Sequence, residues 1–232
     1  MNRAETLEQL ARLCRTGIAA APAIESSGVM ELDCALPHGG WPVGTIVELM
    51  PLTTGIGEFR LLMPLLARLT RTENYIALIS TPYIPFAPAL ARHGIQLERL
   101  VVIDAKTQED TLWAFEQTLR CKSFGAVVAW PTTVRDREVR RLQLAAEAGR
   151  SIGFLYRPPA AALESSPAAI RLKLQTNQNG LEIDILKCRG ARGGFSVTVD
   201  NTRLNEEAPS LPSAVQDVRM APGSNHPPSA IR

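Results

Sequence analysis

Residues 124–130 read Phe-Gly-Ala-Val-Val-Ala-Trp, and this short apolar stretch decides the fold. The stretch does not alternate between apolar and polar residues, which is the pattern of a strand covered on both faces. Such strands are typical of parallel sheets, because the helices that connect parallel strands cover both faces of the sheet. The stretch therefore predicts an α/β protein.

Predicted strands and helices alternate on both sides of this strand. Further strands are predicted at residues 45–50, 75–80, 100–104 and 152–156, and helices at residues 58–71, 87–93, 109–120 and 135–148. The helices are indicated by apolar residues at three- and four-residue spacing. Alternating strands and helices predict a mainly parallel sheet that is flanked by helices and joined by right-handed crossovers. The three tryptophans, Trp41, Trp113 and Trp130, are predicted to be core residues.

The pattern changes after Arg157. A loop rich in Pro, Ala and Ser runs to residue 167, and β-like stretches follow at residues 169–175, 181–187 and 194–200. Asn179 and Gly180 suit a hairpin turn between the first two stretches. These stretches predict an antiparallel extension on one edge of the sheet.

The two ends of the chain differ from this body. Residues 1–27 are predicted to form a short amphipathic helix, over residues 3–15, and a linker, whereas residues 28–204 form the α/β domain. Residues 205–232 form a proline-rich tail with few apolar residues. Since such a tail buries little surface, we expect it to be disordered in isolation.

Composition excludes several classes of protein. The chain has 232 residues, a net charge of +2, 45% hydrophobic residues and 21% charged residues, which is typical of a globular protein without a general attraction to nucleic acid. No apolar stretch reaches the roughly 20 residues of a membrane span, and the first 15 residues lack the apolar core of a signal peptide. The expected location is the cytoplasm, away from the membrane. The scattered cysteines and histidines predict no zinc site and no other cofactor.

Residues 28–50 read GVMELDCALPHGGWPVGTIVELM, which resembles the segment before the phosphate loop of RecA/KaiC-type ATPases. A P-loop requires Gly-x-x-x-x-Gly-Lys-[Ser/Thr], in which backbone amides hold the phosphates and Lys neutralises them. In this chain Met50 replaces the first Gly, and Gly55 is followed by Ile56 and Gly57 in the places of the Lys and the hydroxyl residue.

Other positions of the ATPase pattern are also altered. Glu58 adds negative charge beside the loop, Pro82 stands where the catalytic glutamate follows the second strand, and Trp130 stands where the magnesium-binding aspartate follows the fourth. Each change disfavours a nucleotide. We therefore predict a RecA-like domain with a degenerate P-loop, and no enzyme activity.

Four motifs carry a narrower resemblance. They are GIGEFRLLMPLL at residues 55–66, GAVVAW at 125–130, RLQLAAEAG at 141–149 and IGFLYRP at 152–158. Together with the segment at residues 28–50, they resemble the ImuA family of bacterial translesion synthesis and the related, shorter SulA family of SOS cell-division inhibitors. The resemblance spans residues 28–190. SulA-type proteins lack the full segment before the loop and the C-terminal strands, so these flanking regions favour ImuA.

The resemblance implies two different functions. ImuA implies a non-catalytic, SOS-induced adaptor for translesion DNA synthesis that acts with ImuB and an error-prone polymerase subunit, and that contacts RecA or DNA. SulA implies the alternative, an inhibitor of cell division that binds FtsZ and blocks its polymerisation.

Candidate partner-binding residues follow the second strand. Tyr83, Ile84 and Phe86 lie on a proline-rich loop at the strand's C-terminal end, where α/β sheets present functional groups and where aromatic residues can anchor a partner. The alternative is that these rings close the core beneath the loop. Arg99 lies where SulA-type proteins carry a basic residue near their partner surface, and the alternative for Arg99 is a purely solvating role.

Candidate DNA-binding residues lie after the last parallel strand. Arg157 and the loop at residues 158–167 occupy the place of the DNA-binding loop in RecA-like proteins. Lys187, Arg189 and Arg192 flank glycines in a turn between two edge strands. These cations are candidates for sequence-independent contacts with phosphates.

Overall fold

The computed structural model describes residues 23–190 and 193–200. The helix predicted over residues 3–15, most of the linker, Arg192 and the proline-rich tail lie outside the described residues.

Ten strands and five α-helices occupy the described residues. The strands are β1 (Ile24–Glu25), β2 (Trp41–Pro42), β3 (Ile46–Pro51), β4 (Tyr75–Ile79), β5 (Leu100–Ile103), β6 (Phe124–Ala129), β7 (Ile152–Tyr156), β8 (Ile170–Asn177), β9 (Gly180–Cys188) and β10 (Phe195–Val199). The helices are α1 (Met30–Ala35), α2 (Met63–Arg71), α3 (Ala87–Arg92), α4 (Gln108–Arg120) and α5 (Asp136–Gly149).

Eight of these strands form the central sheet, in the order β10-β9-β8-β3-β7-β6-β4-β5. Strands β3 to β8 are parallel to one another, and β9 runs antiparallel to both β8 and β10. The prediction of an α/β fold with a mainly parallel sheet is confirmed. The C-terminal ends of the parallel strands meet at one edge of the sheet, which we call the C-terminal edge.

The predicted antiparallel extension is partly wrong. Its first strand, β8, pairs in parallel with β3, so that Leu49 lies opposite Leu172. The segment between β7 and β8 is long enough to return the chain to the start of the sheet, as a parallel connection requires. The predicted hairpin is confirmed, since β8 and β9 form an antiparallel pair, but its two turn residues are Gln178 and Asn179, one position earlier than predicted.

Each face of the sheet is covered by helices. On one face, Trp41 and the leucines of α2 pack against the strands, and the Trp41 ring meets Phe154 edge-on with 5.3 Å between centroids. On the other face, Phe115 of α4 and Leu142 of α5 form a second core. Trp113 does not belong to either core, because 63% of its surface is exposed on the outer side of α4. The prediction that Trp113 is buried is wrong.

The helix after β3 begins later than predicted. A 3-10 turn spans Arg60–Leu62, and the α-helix begins at Met63 rather than at residue 58. Pro64 explains the difference, because a residue without an N–H is accommodated only in the first turn of a helix. Gly57, with a φ of +90°, separates this turn from the preceding loop.

The segment before β3 contains structure that the sequence analysis treated as turns. β1 and β2 form a two-stranded antiparallel pair, and the short helix α1 lies between them. Gly40 is required at this point, since a Cβ there would collide with the carbonyl oxygen of Glu25. Within the described part of the chain, no helix is long and apolar enough to cross a membrane.

Candidate functional site

A groove with a volume of about 240 Å³ lies at the C-terminal edge, on the face that α2 covers. Five aromatic side chains line it: Phe59, Tyr83, Phe86, Trp130 and Tyr156. They come from four separate segments, which follow β3, β4 and β6 or end β7. The parallel sheet therefore assembles this apolar groove where α/β folds usually hold a ligand.

The residues that follow β4 position the loop that forms the rim of the groove. Ser80 follows the strand with a φ of +52°, and its Oγ lies 2.8 Å from Oγ1 of Thr111 on α4. A positive φ is unfavourable for serine and turns the chain sharply. Pro82 and Pro85 then restrict the loop that carries Tyr83, Ile84 and Phe86.

The floor of the groove is a stack of aromatic rings. The Trp130 ring lies parallel to Tyr156, with 4.6 Å between centroids and 9° between planes. The Phe59 ring is tilted by 53° to that of Trp130, with 5.9 Å between their centroids. The backbone N–H of Trp130 donates to the carbonyl oxygen of Ile79 at 3.2 Å, which holds the start of this segment against β4.

The Tyr156 hydroxyl is a buried polar group in this floor. The residue is 5% exposed, and its hydroxyl has no hydrogen-bond partner among the described residues. Burial raises the pKa of Tyr156 well above its ordinary value, and the negative charge of Glu58 raises it further. The phenol is therefore a protonated donor at neutral pH, and a group that reached it with an acceptor would satisfy it.

Three large apolar side chains form the rim of the groove. Tyr83 is 72% exposed, Ile84 is 95% exposed and Phe86 is 65% exposed. These are the predicted partner-binding residues, and the structure brings them together on the surface rather than in the core. Exposure of several large apolar groups in one place is typical of a binding surface.

The loop after β3 contributes Thr54, Gly55 and Glu58 to the lining of this groove. The backbone N–H of Gly55 donates to Oε1 of Glu58 at 3.0 Å. Met50 is fully buried, and Ile56 packs against the core. The Glu58 carboxylate thus satisfies a backbone amide of this loop and places a negative charge beside the groove.

Arg99, the remaining predicted partner-binding residue, lies elsewhere. Its Nη1 donates to the carbonyl oxygen of Glu73 at 2.6 Å, and its guanidinium lies 5.6 Å from the centroid of the Tyr75 ring. Arg99 precedes β5 and Tyr75 begins β4, so both lie at the edge opposite the groove. The structure therefore does not combine Arg99 with the rim residues in one site.

Arg157, predicted to contact DNA, is buried in an ion cluster under the other face of the sheet. Its Nη1 lies 3.0 Å from Oε1 of Glu48, and Nε of Arg171 lies 2.7 Å from Oε2 of the same carboxylate. Glu48 is fully buried, and a second nitrogen of Arg157 contacts Glu164 at 3.0 Å. Arg157 therefore has a structural role in the described chain, and contact between Arg157 and DNA stays a prediction.

Of the other predicted DNA-binding cations, the structure describes Lys187 and Arg189. Nζ of Lys187 donates to the carbonyl oxygen of Ser166 at 2.7 Å, and burial together with Arg189 and Arg171 lowers the pKa of Lys187. Arg189 is exposed, and Arg192 lies outside the described residues. In the part of the chain that the structure describes, no group of His, Cys, Asp and Glu is arranged to hold a metal.

Sequence reasoning missed two residues of the site, Phe59 and Tyr156, and placed Trp130 in the core. Tyr156 was assigned to a strand, and Trp130 is the first residue after β6. Their position at the ends of neighbouring parallel strands is the signal that could have identified them, because such ends converge at one edge.

Sequence comparison finds similarity to SulA-type proteins over 42–50% of the chain. The Cell division inhibitor SulA of Photorhabdus laumondii is 27% identical over 115 residues, which cover 50% of this chain and 65% of that protein. SulA of Edwardsiella piscicida is 31% identical over 98 residues, which cover 42% of this chain and 58% of that protein. The chain thus spans about three fifths of the length of these relatives.

Two further matches are more distant. A plasmid RecA protein of Lactococcus lactis is 26% identical over 105 residues, which cover 44% of this chain and 30% of that protein. A crystal structure of SulA from Pseudomonas aeruginosa aligns with a TM-score of 0.42 and 24% identity, covering 48% of this chain and 97% of that chain.

A family model described as the MT3502 N-terminal domain matches residues 34–152. The match begins in α1 and ends at the first residue of β7, so it includes the loop after β3, the rim loop after β4 and Trp130. It covers just over half of the chain. The chain therefore belongs to the family of the MT3502 N-terminal domain.

Proposed function

We propose that this chain is a non-enzymatic protein of the SOS response that inhibits cell division by binding a protein partner at the C-terminal edge. The resemblance to SulA makes FtsZ the first candidate partner, and prevention of FtsZ polymerisation the proposed mechanism. The fold that supports this function is proposed to be a RecA-like domain without its nucleotide site.

The observation that carries the proposal is the apolar rim of the groove. Tyr83, Ile84 and Phe86 are exposed on one restricted loop. Burial of one such side chain contributes about 1.5–3 kcal/mol, so a partner that covers this loop gains enough to bind specifically. Because the two flanking prolines limit the loop's conformations, less entropy is lost when the partner binds.

The loop after β3 supports a non-enzymatic function. Ile56 provides no positive charge for a phosphate, and Glu58 both adds a negative charge and accepts from Gly55. The place of a nucleotide's phosphates is thus unfavourable for an anion. An apolar groove next to it favours a protein ligand instead.

The test is FtsZ polymerisation, measured by sedimentation with and without the full chain. We expect the wild-type chain to reduce the sedimented fraction, and Ile84→Asp to raise the concentration required by about tenfold or more, because it replaces an apolar contact with a charge. Leu163→Asp is the matched control, because Leu163 is 93% exposed but lies in the segment between β7 and β8.

Two results would contradict the proposal. One is an FtsZ polymerisation curve that the wild-type chain does not change. The other is equal inhibition by the wild-type chain and by Ile84→Asp, since the partner would then bind outside the groove.

The second candidate is an adaptor in translesion synthesis that acts with an ImuB-like protein and an error-prone polymerase subunit. The observation that favours it is the hairpin of β8 and β9 with β10, which lies beyond the family match at residues 34–152. SulA-type proteins lack these strands, according to the resemblance. RecA and DNA are further partners under this candidate.

Deletion of the gene separates the two candidates. Loss of damage-induced mutagenesis with unchanged filamentation supports the adaptor, whereas loss of damage-induced filamentation supports the division inhibitor. Purification of the tagged full chain from damaged cells gives a second measurement, because FtsZ or the ImuB-like protein should be retained by the wild type and lost from Ile84→Asp.

A further inference from the structure

The groove has the two features of a site for an extended, proline-containing peptide. Its walls and floor are aromatic, and the Tyr156 hydroxyl in its floor is buried without a partner. A polyproline II segment has backbone carbonyls that are free to accept hydrogen bonds, and aromatic-lined grooves bind such segments. The Tyr156 hydroxyl is thus a donor without an acceptor, and a backbone carbonyl of such a segment would provide the acceptor.

This chain contains a suitable segment. Residues 208–213 read Ala-Pro-Ser-Leu-Pro-Ser, in which Pro209 and Pro212 have the Pro-x-x-Pro spacing. Leu211 lies between them and supplies one large apolar side chain. The segment lies beyond the described part of the chain, which ends at Asp200.

The course of β10 brings this segment to the correct edge. β10 is antiparallel to β9, and β9 is antiparallel to β8, so β10 runs in the direction of β3 and β7. The chain therefore leaves Val199 at the C-terminal edge, where the groove lies. Asn177, at the end of β8, contacts Thr198 by a side-chain hydrogen bond of 3.4 Å, which is consistent with this placement.

The distance is also compatible. Four strand spacings separate β10 from β7 in the sheet order, which corresponds to about 19 Å at about 4.8 Å per spacing. Residues 200–209 can extend over about 30 Å at about 3.3 Å per residue. Pro209 can therefore reach the groove of its own chain.

We propose that residues 208–213 bind in the groove of the same chain, with Tyr156 donating to one of their backbone carbonyls, and so compete with the protein partner. The partner-competition part rests on the proposed function, whereas the binding of the segment does not. Attachment to β10 gives the segment an effective concentration of about millimolar, which is enough for a weak peptide contact to be populated. The groove is thus autoinhibited until a partner displaces the segment.

The first experiment is calorimetric titration of a synthetic peptide, residues 205–216, into full-length chains. We expect the peptide to bind the variant Leu211→Asp at least about tenfold more tightly than the wild type, because the intact segment of the wild type occupies the groove. Val218→Asp, which introduces the same charge outside the Pro-x-x-Pro motif, should bind the peptide as weakly as the wild type does.

Tyr156 provides the second arm. Adding Tyr156→Phe to Leu211→Asp should weaken peptide binding by about fivefold to tenfold, the effect of losing one hydrogen bond, while thermal unfolding shows that the fold is retained. Absence of peptide binding to Leu211→Asp would overturn the proposal. Equal peptide affinity for the wild type and Leu211→Asp would also overturn it, because the groove would then accept such a segment only from another molecule.

A third measurement separates this proposal from the proposed function. In the FtsZ assay, Leu211→Asp should inhibit at a concentration about tenfold lower than the wild type, because the groove is open. If the peptide binds as expected and no variant affects FtsZ, the division-inhibitor proposal fails and the autoinhibitory segment stands. If FtsZ is inhibited but Leu211→Asp changes neither measurement, the autoinhibitory segment fails alone.

Discussion

Tyr156 and Arg157 are neighbours at the end of β7, but their side chains lie in two regions of opposite character. Tyr156 points to the α2 face and forms the floor of an apolar groove, with its hydroxyl unpaired. Arg157 points to the other face, where Glu48 accepts from it and from Arg171. Successive residues of a strand face opposite sides of a sheet, so one residue step separates the two regions.

The two regions differ in whether their polar and apolar groups have partners. In the ion cluster, both carboxylate oxygens of Glu48 accept hydrogen bonds, and Oε1 also accepts from Ser166 at 2.7 Å. In the groove, apolar surface and one donor are left without partners in the described chain.

The largest expected effect comes from Glu48→Ala. The substitution leaves Arg157 and Arg171 buried without their shared carboxylate, which should lower the free energy of unfolding by about 3–5 kcal/mol. Urea denaturation measures the loss. Glu164→Ala is the control, because Glu164 also contacts Arg157 but its side chain is 60% exposed, and it should cost about 1 kcal/mol or less. Equal losses in the two variants would mean that the cluster does not hold the fold together.

A smaller effect of opposite sign is expected for Tyr156→Phe in the Leu211→Asp background, in which the segment at residues 208–213 does not occupy the groove. Removing a buried hydroxyl that has no partner should leave the free energy of unfolding unchanged or raise it by up to about 1 kcal/mol. The same urea titration measures this change. If Tyr156→Phe instead destabilises the Leu211→Asp chain by more than about 1 kcal/mol, the hydroxyl has a partner other than residues 208–213, and its proposed role as a donor to that segment fails.

Lys187 gives a pH-dependent comparison at the margin of the ion cluster. Its pKa is lowered by burial, with further contributions from Arg189 and Arg171, so the folded state releases this proton at a lower pH than the unfolded state does. Stability should therefore rise with pH as Lys187 loses its charge in the folded protein, and level off above the ordinary lysine pKa of 10.5. Urea titrations between pH 8 and pH 10.5 measure the free energy of unfolding of the wild type and of Lys187→Met. If the two free energies change with pH in the same way, Lys187 does not cause the pH dependence.

The smallest effect on stability is expected at the rim of the groove. Ile84 is 95% exposed, so Ile84→Asp should change the free energy of unfolding by no more than about 0.5 kcal/mol. Differential scanning calorimetry on the same preparation that is used for partner binding measures this directly. A large loss of stability would show that Ile84 packs against part of the chain and is not a free contact residue.

The course of the parallel strands could be predicted almost residue by residue, and the site could be predicted in part. The stretches that form β6 and β7 contain no polar side chains that could face water, so both faces of these strands are expected to be buried. Tyr83, Ile84 and Phe86 were identified by their place after a strand between prolines. Trp113 was misplaced because apolar character alone does not put a helix residue in the core. Leu112, Phe115 and Leu119, at three- and four-residue spacing, lie on the buried side of α4, and Trp113 lies outside that row.

The direction of β8 was not predictable from its own residues. A strand with alternating apolar residues pairs equally well in either direction, and only the path of the preceding loop decided that β8 joins β3 in parallel. The role of Arg157 was hidden for a similar reason. Its partner Glu48 is 109 positions away in the chain, so the pairing of β3 with β7 was needed to bring the two charges together.

The sequence by itself determined the α/β class, the order of the strands and helices from β3 onward, the absence of a cation at Ile56 and Gly57 in the loop after β3, and the apolar character of the rim loop. These properties depend on residue type and on spacing within one segment, and both can be read directly from the sequence. The tertiary structure alone decided which strand ends meet, and so placed Phe59, Trp130 and Tyr156 in one groove while it buried Arg157 behind the sheet. The physical reason is that a groove and a buried ion pair are contacts between distant segments, and their geometry exists only once the sheet has brought those segments together.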